Sequence, residues 1–198
     1  MTALRMVALD LSLAGTGIAA THDHHGEPGV LARTVLSPWG PDRPHDRIQH
    51  VLVDVAAAVS CQPHLIVVEA ASYGSVGNMV DQLAGLRWVI RHWLWSRKLP
   101  YVQLAPATVK VWATGSAAAQ GENKVTKADV REAITATYGR LVHVGDDNQA
   151  DAMSMLSAGM AAYGQPLAPV VNPRQLRALK TPSWPTLATE GGPVVPGV

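Results

Sequence analysis

The chain has 198 residues, 47% of them hydrophobic and 16% charged, with a formal net charge of +1. That is enough for one domain with a sizeable core, in proportions ordinary for a soluble globular protein. No apolar run approaches the length that spans a bilayer, and the N-terminus lacks a basic-then-apolar signal pattern, so a cytoplasmic location with no membrane partner is expected.

Met6 to Leu9 is a short apolar run ended by a single acid, Asp10; a small-residue turn over residues 14–17 and a second apolar run from Ile18 follow. Runs of this kind predict a buried strand over Met6 to Leu11, joined by a hairpin to a second over Gly17 to Thr21. The segment from His22 to Gly29, HDHHGEPG, reads as the next hairpin turn. Its histidines are read as exposed turn residues, because no spaced Cys or His set accompanies them. Val30 to Leu36 completes an antiparallel meander. After a loop over Pro38 to Pro44, Ile48, Val51, Leu52, Val55 and Val59 recur at helical spacing until Pro63. Cys61 stands alone, which rules out an internal disulfide and fits a buried, inert thiol in a reducing compartment.

His64 to Ala70, HLIVVEA, repeats the logic of the first strand: a buried-type run that delivers an acid, Glu69, at its end. A glycine-containing loop over Tyr73 to Gly77 leads to a long helix, Asn78 to Arg97, with an apolar face of Leu83, Leu86, Val89, Ile90, Trp93 and Leu94. Arg87 and Arg91, one turn apart, are expected to point outward, and Trp88, Trp93 and Trp95 cannot all face one core. Tyr101 to Leu104 is a last short strand. Pro106 opens a helix over Ala107 to Ala113, and residues Gly115 to Lys124 are small and polar enough to be mobile. Val125 to Tyr138 and the stretch from Asp146 read as helices, the latter with a stripe of Ala150, Met153, Leu156 and Met160 against the sheet. Beyond Gly164, seven prolines in 34 residues are expected to exclude regular structure, dividing the chain into a domain over 1–164 and a disordered or surface-draped tail over 165–198.

Two buried strands thus each end in a carboxylate, where open α/β sheets form their sites. An unpaired buried charge is strongly disfavoured, so these acids call for a bound cation. Asp151 lies in the second turn of the acidic helix, where capping cannot explain it, whereas Asp146 and Asp147 also fit a capping role. Asp147 stands four before Asp151, a spacing that puts both on one helix face. Hard oxygen donors of this kind suit magnesium or manganese, and four carboxylates can hold two ions about 4 Å apart. Charge is also uneven: residues 87–140 carry nine Lys or Arg against three acids, while residues 1–86 carry four against eight. A basic segment beside an acidic cluster suits phosphate backbones handled through metal ions, or simply solvated helix faces.

The order of these features, DLSLAGTGIA, VVEAAS, PATVK, an NKV segment and DNQADAM, resembles the RuvC-type Holliday-junction resolvases of the RNase H-like superfamily, in a phage-type form, from about Met6 to Ala162. The resemblance implies an α/β fold with a mixed five-stranded sheet, three antiparallel strands then parallel ones, flanked by helices. It implies a crossover junction endodeoxyribonuclease that cuts branched DNA such as four-way junctions, needs Mg2+ (two ions per site, with Mn2+ as a substitute) and acts as a homodimer. Asp10, Glu69 and Asp151 would be metal ligands. Asn148 stands where many relatives carry the fourth acid, and Asp147 is the natural substitute. Lys110 and Lys124 match family lysines near the scissile phosphate, with Lys124 expected to stabilise developing charge. Tyr73 matches an aromatic that stacks at the junction centre, one residue later than the family pattern. Lys127 and Arg131 are added from helical spacing as further DNA contacts. The long helix is the expected dimer interface. Two other readings stay open: a catalytically silent branched-DNA scaffold, and an actin-like nucleotide-binding module, for whose second lobe the chain has no room.

Overall fold

A computed structural model describes residues 3–71, 79–118, 124–170 and 172–187. Three strands, β1 (Met6–Asp10), β2 (Gly15–His22) and β3 (Pro28–Leu36), form the meander. Helix α1 (Pro44–Ala58) then carries the chain to β4 (Leu65–Glu69), and α2 (Met79–Ser96) to β5 (Tyr101–Leu104). Both crossovers make parallel pairs, β4 beside β1 and β5 beside β4, giving a five-stranded sheet in the order β3-β2-β1-β4-β5. The helices α3 (Pro106–Thr114), α4 (Lys127–Tyr138), α5 (Asp147–Ala162) and α6 (Pro173–Ala178) follow.

Strand side chains alternate between faces, and the two cores follow that parity. Val7 and Leu9 of β1, with Ile66 and Val68 of β4, pack under α1 and α2. Met6, Ala8, Leu65 and Val67 pack under α5, with α3 and α4 outside it. Helix α5 is therefore covered all round, not by a single stripe: eleven of its sixteen residues are buried. Its two buried serines are satisfied, Ser154 donating to the Val109 carbonyl and Ser157 accepting from the Trp112 indole.

Glycines set how closely α5 lies on the sheet. A Cβ on Gly17 would stand 2.1 Å from the Asn148 carbonyl oxygen, and one on Gly159 would stand 2.4 Å from Met6 Sδ. At the first turn the obstacle would be backbone, which cannot yield, whereas at Gly159 the Met6 and Val67 side chains would have to shift. The start of α4 is fixed by a reciprocal cap, in which Thr126 accepts from the Asp129 amide and Asp129 accepts from the Thr126 amide.

The prolines after Gly164 do not exclude regular structure. Asn172 caps α6 and Pro173 opens it, a position proline tolerates because that amide needs no helical partner. Leu179, Trp184 and Leu187 join the core beside α5. The histidines of the second turn also divide: His22 is buried at the end of β2, while His24 and His25 are exposed. Cys61 is half-buried and donates to the His24 carbonyl.

Candidate functional site

Strand parity aims both strand-end acids the same way. Asp10 has the parity of Met6 and Ala8, and Glu69 that of Leu65 and Val67, so both face α5. The register pairs Leu9 with Val68. Asp10 and Glu69 therefore come next on adjacent parallel strands, whose backbones run about 4.8 Å apart. Gly17 pairs with Asp10 across β1 and β2, and its missing side chain admits the first turn of α5. Asp151 of α5 and Asn148, one turn before it, then line the same cleft as the two strand acids, a hollow of about 320 Å³. The Ser12–Thr16 turn rims it: Ser12 lines the cleft, and Thr16 donates to the Ser12 carbonyl at 2.6 Å.

The three carboxylates affect one another. Burial, then the charges of Glu69 and Asp151, push the Asp10 carboxyl up to about 8, against the pull of Lys127 and Arg87. Glu69 is raised by burial and by Asp151, with Arg87 and Lys127 opposing. Asp151 is raised by burial, Lys127 and Lys110 pulling down while Asp147 pushes up. Negative charge confined in this way is what a divalent cation relieves, and the all-oxygen donor set suits a hard ion. Among the described residues, however, no three His, Cys, Asp or Glu side chains stand close enough to form a ready-made ligand shell. The donor chemistry fits a divalent ion, and closing a shell on one requires the side chains to draw together.

The cleft also carries cations. Lys110 of α3 and Lys127 of α4 line it. So does Arg87, and the expectation that it points outward is wrong: its guanidinium lies 3.5 Å from Glu69, with the two side chains 12% and 18% exposed. Leu83, four residues earlier, lines the cleft beside it, and that helical spacing was the available signal. Arg91 does turn away, stacking over Trp88 and donating to Gln103.

Other expected site residues lie elsewhere. Asp147 does not line the cleft; at the first position of α5 it faces Arg131 of α4 at 3.8 Å, and Asn148 takes the inward place. Arg131, half-exposed in that pair, also stands outside the cleft lining. Asp146 caps α5 by accepting from the Gln149 amide and also accepts from Thr34 Oγ1. Lys124 is exposed and outside the cleft lining. Tyr73 lies outside the described residues, as do residues 119–123 of the expected mobile stretch.

A larger hollow, about 710 Å³, lies between the C-terminal ends of α1 and α2, but no carboxylate lines it among the described residues. Chemistry, not volume, singles out the acid cleft.

No protein-family model matches the chain, and no curated protein matches it in sequence. Solved structures do match in shape. The structure of Thermus thermophilus RuvC aligns with a TM-score of 0.58 at 16% identity, over 82% of this chain and 98% of that one. The same protein in complex with a Holliday junction substrate aligns with a TM-score of 0.60 at 14% identity, again over 82% and 98%. The fold is that of RuvC. The match accounts for the mixed sheet, three antiparallel strands followed by two parallel ones with helices on both faces. Fold alone does not carry an activity over to this chain; the chemistry of the cleft has to supply that argument. No helix among the described residues is long and apolar enough to cross a membrane.

Proposed function

We propose that this chain is a metal-dependent, structure-selective DNA endonuclease acting on branched DNA such as four-way junctions. The observation that carries the reading is the meeting of Asp10, Glu69 and Asp151 in one cleft rimmed by Lys110, Lys127 and Arg87, on the fold of a protein solved with a Holliday junction. Asp10, Glu69 and Asp151 would hold Mg2+ or Mn2+, with Asn148 as a neutral oxygen donor in the place first assigned to Asp147. Bound there, such ions supply an activated water and stabilisation of the leaving oxygen. Lys110 and Lys127 hold the scissile phosphate at the cleft mouth, in the role expected of Lys124. Arg87 balances Glu69 and sets its orientation.

The reaction is hydrolysis of a phosphodiester. Water's oxygen bonds to phosphorus while the bond from phosphorus to the 3′ oxygen breaks. That oxygen takes up a proton, leaving a 3′-hydroxyl and a 5′-phosphate. Two such sites on opposing strands require a homodimer, and α2 offers the surface: Trp88 and Trp95 are 66% and 67% exposed on it.

One competing reading has a specific observation in its favour. Asn148 in place of an acid, and acids that do not yet form a ligand shell, would fit a scaffold that binds branched DNA without cutting it. The deciding experiment is cleavage of a synthetic four-way junction with Mg2+ or Mn2+. The wild type is expected to cut; Asp10→Asn and Asp151→Asn are expected to bind and not cut. Binding with no cleavage by the wild type in either metal would establish the scaffold instead.

A further inference from the structure

Between Gln165 and Leu187 the chain has three charged residues, all cationic: Arg174, Arg177 and Lys180. They follow one another at three-residue steps through α6 and the turn after it, and all three are exposed. Residues three apart are neighbours on a helical surface, so Arg174 and Arg177 share a side of α6 and line one hollow, with Lys180 in the turn that follows. None of the ion pairs among the described residues involves them.

This array is anchored. The Asn172 side chain accepts from the Arg174 amide, and Gln175 donates its side-chain N–H to the Trp112 carbonyl on α3. Leu179 is buried, and the Trp184 indole donates to its carbonyl. Trp184 packs edge-on to Tyr163, whose hydroxyl donates to the Pro185 carbonyl. An apolar underside thus fixes the element to α3 and α5 and leaves the charged side outward.

Its position relative to the acid cleft gives the array a use. Helix α3 is a wall shared by the two. Pro106, Val109 and Lys110 face the acid cleft. Thr108 and Val111 line a separate hollow of about 560 Å³, with Arg174 and Arg177 also in its lining and no carboxylate there among the described residues. One helix diameter, about 10 Å, therefore separates the cleft from the cations. A duplex arm leaving the cleft across α3 would meet this further positive charge beyond the cleft's own cations, Lys110, Lys127 and the Glu69-paired Arg87. Exposed cations on an anchored element, with no ion-pair partner among the described residues, suit a phosphodiester backbone, which they would hold without reading sequence.

We infer that α6 and its following turn are a second backbone clamp, with Arg174, Arg177 and Lys180 holding the phosphates of a DNA arm outside the acid cleft. The inference rests on the branched-DNA reading above. The experiment measures binding of a labelled four-way junction by the full chain, across a salt series, in an Asp10→Asn background that holds the DNA uncut. Adding Arg174→Ala, Arg177→Ala and Lys180→Ala together is expected to weaken binding tenfold or more and to lower the slope of log K against log salt by about 2–3. Arg177→Ala alone is expected to lower the slope by about 1, and Arg174→Lys with Arg177→Lys to preserve it, since a phosphate point contact needs charge rather than a fork. An unchanged slope in the triple variant overturns the clamp and leaves the branched-DNA reading standing. A background protein that binds no DNA overturns both.

Discussion

Asp10 concentrates the conflict on which this protein is built. It is 8% exposed, at the end of a buried strand, beside two other acids. Its carboxyl, ordinarily at 3.8, is pushed up to about 8, so the folded state binds more protons than the unfolded chain between those values. With metal chelated, the stability Asp10 contributes should therefore be fully present below about pH 4 and be lost as pH rises toward 8. Asp10→Asn removes the charge and should raise the stability of the chelated protein at pH 8 by about 2 kcal/mol, roughly 4–8 °C in Tm for a chain of this size. Melting curves at pH 5 and pH 8 in EDTA check this, and a variant that melts lower than wild type at pH 8 would contradict it. Asp10, Glu69 and Asp151 were legible in the sequence because each is an acid that its apolar neighbours cannot explain. Arg87 and Asn148 were not, since their side chains are assigned by how α2 and α5 rotate onto the sheet. That rotation is a matter of packing, and charge patterning does not reveal it.

Among the elements, α5 shows how the fold delivers a residue. Its first turn reaches Asp10 because Gly17 yields the space a side chain would fill. Gly17→Ala must push backbone against backbone, so it should cost about 1–3 kcal/mol, measured as a lower Tm. It should also lower cleavage by more than the loss of folded protein explains, by moving Asp151 away from the strand acids. A variant that melts lower but cuts normally would show that the close approach serves stability alone. The strands and helices themselves were readable from periodicity and turn residues, with most ends shifted by a residue or two and α1 stopping at Ala58, short of Pro63. The all-round burial of α5 was less so, because small residues such as Ala, Ser and Gly carry little hydrophobic signal yet pack well between a sheet and two helices. Helix α6 was hidden by its prolines, although one of them opens the helix.

At the scale of the whole molecule, the sheet divides the labour. One face, under α1 and α2, is a plain apolar core whose outer helix exposes Trp88 and Trp95. The other supports α5 and the acid cleft. If α2 joins two copies, the wild type should sediment as a dimer and Trp88→Glu with Trp95→Glu as a folded monomer that binds junctions more weakly. A wild type that sediments as a monomer at micromolar concentration would remove α2 from that role. The sequence announced surplus tryptophan on this helix but not which side chains stay outside; in the structure Trp93 turns partly inward beside Arg97 while the other two remain exposed. The proposal that all the others depend on is that Asp10, Glu69 and Asp151 close on metal. Anomalous scattering from a crystal grown with Mn2+ reads it most directly. The account predicts strong manganese density within bonding distance of Asp10, Glu69 and Asp151 together, and a cleft without manganese would contradict it.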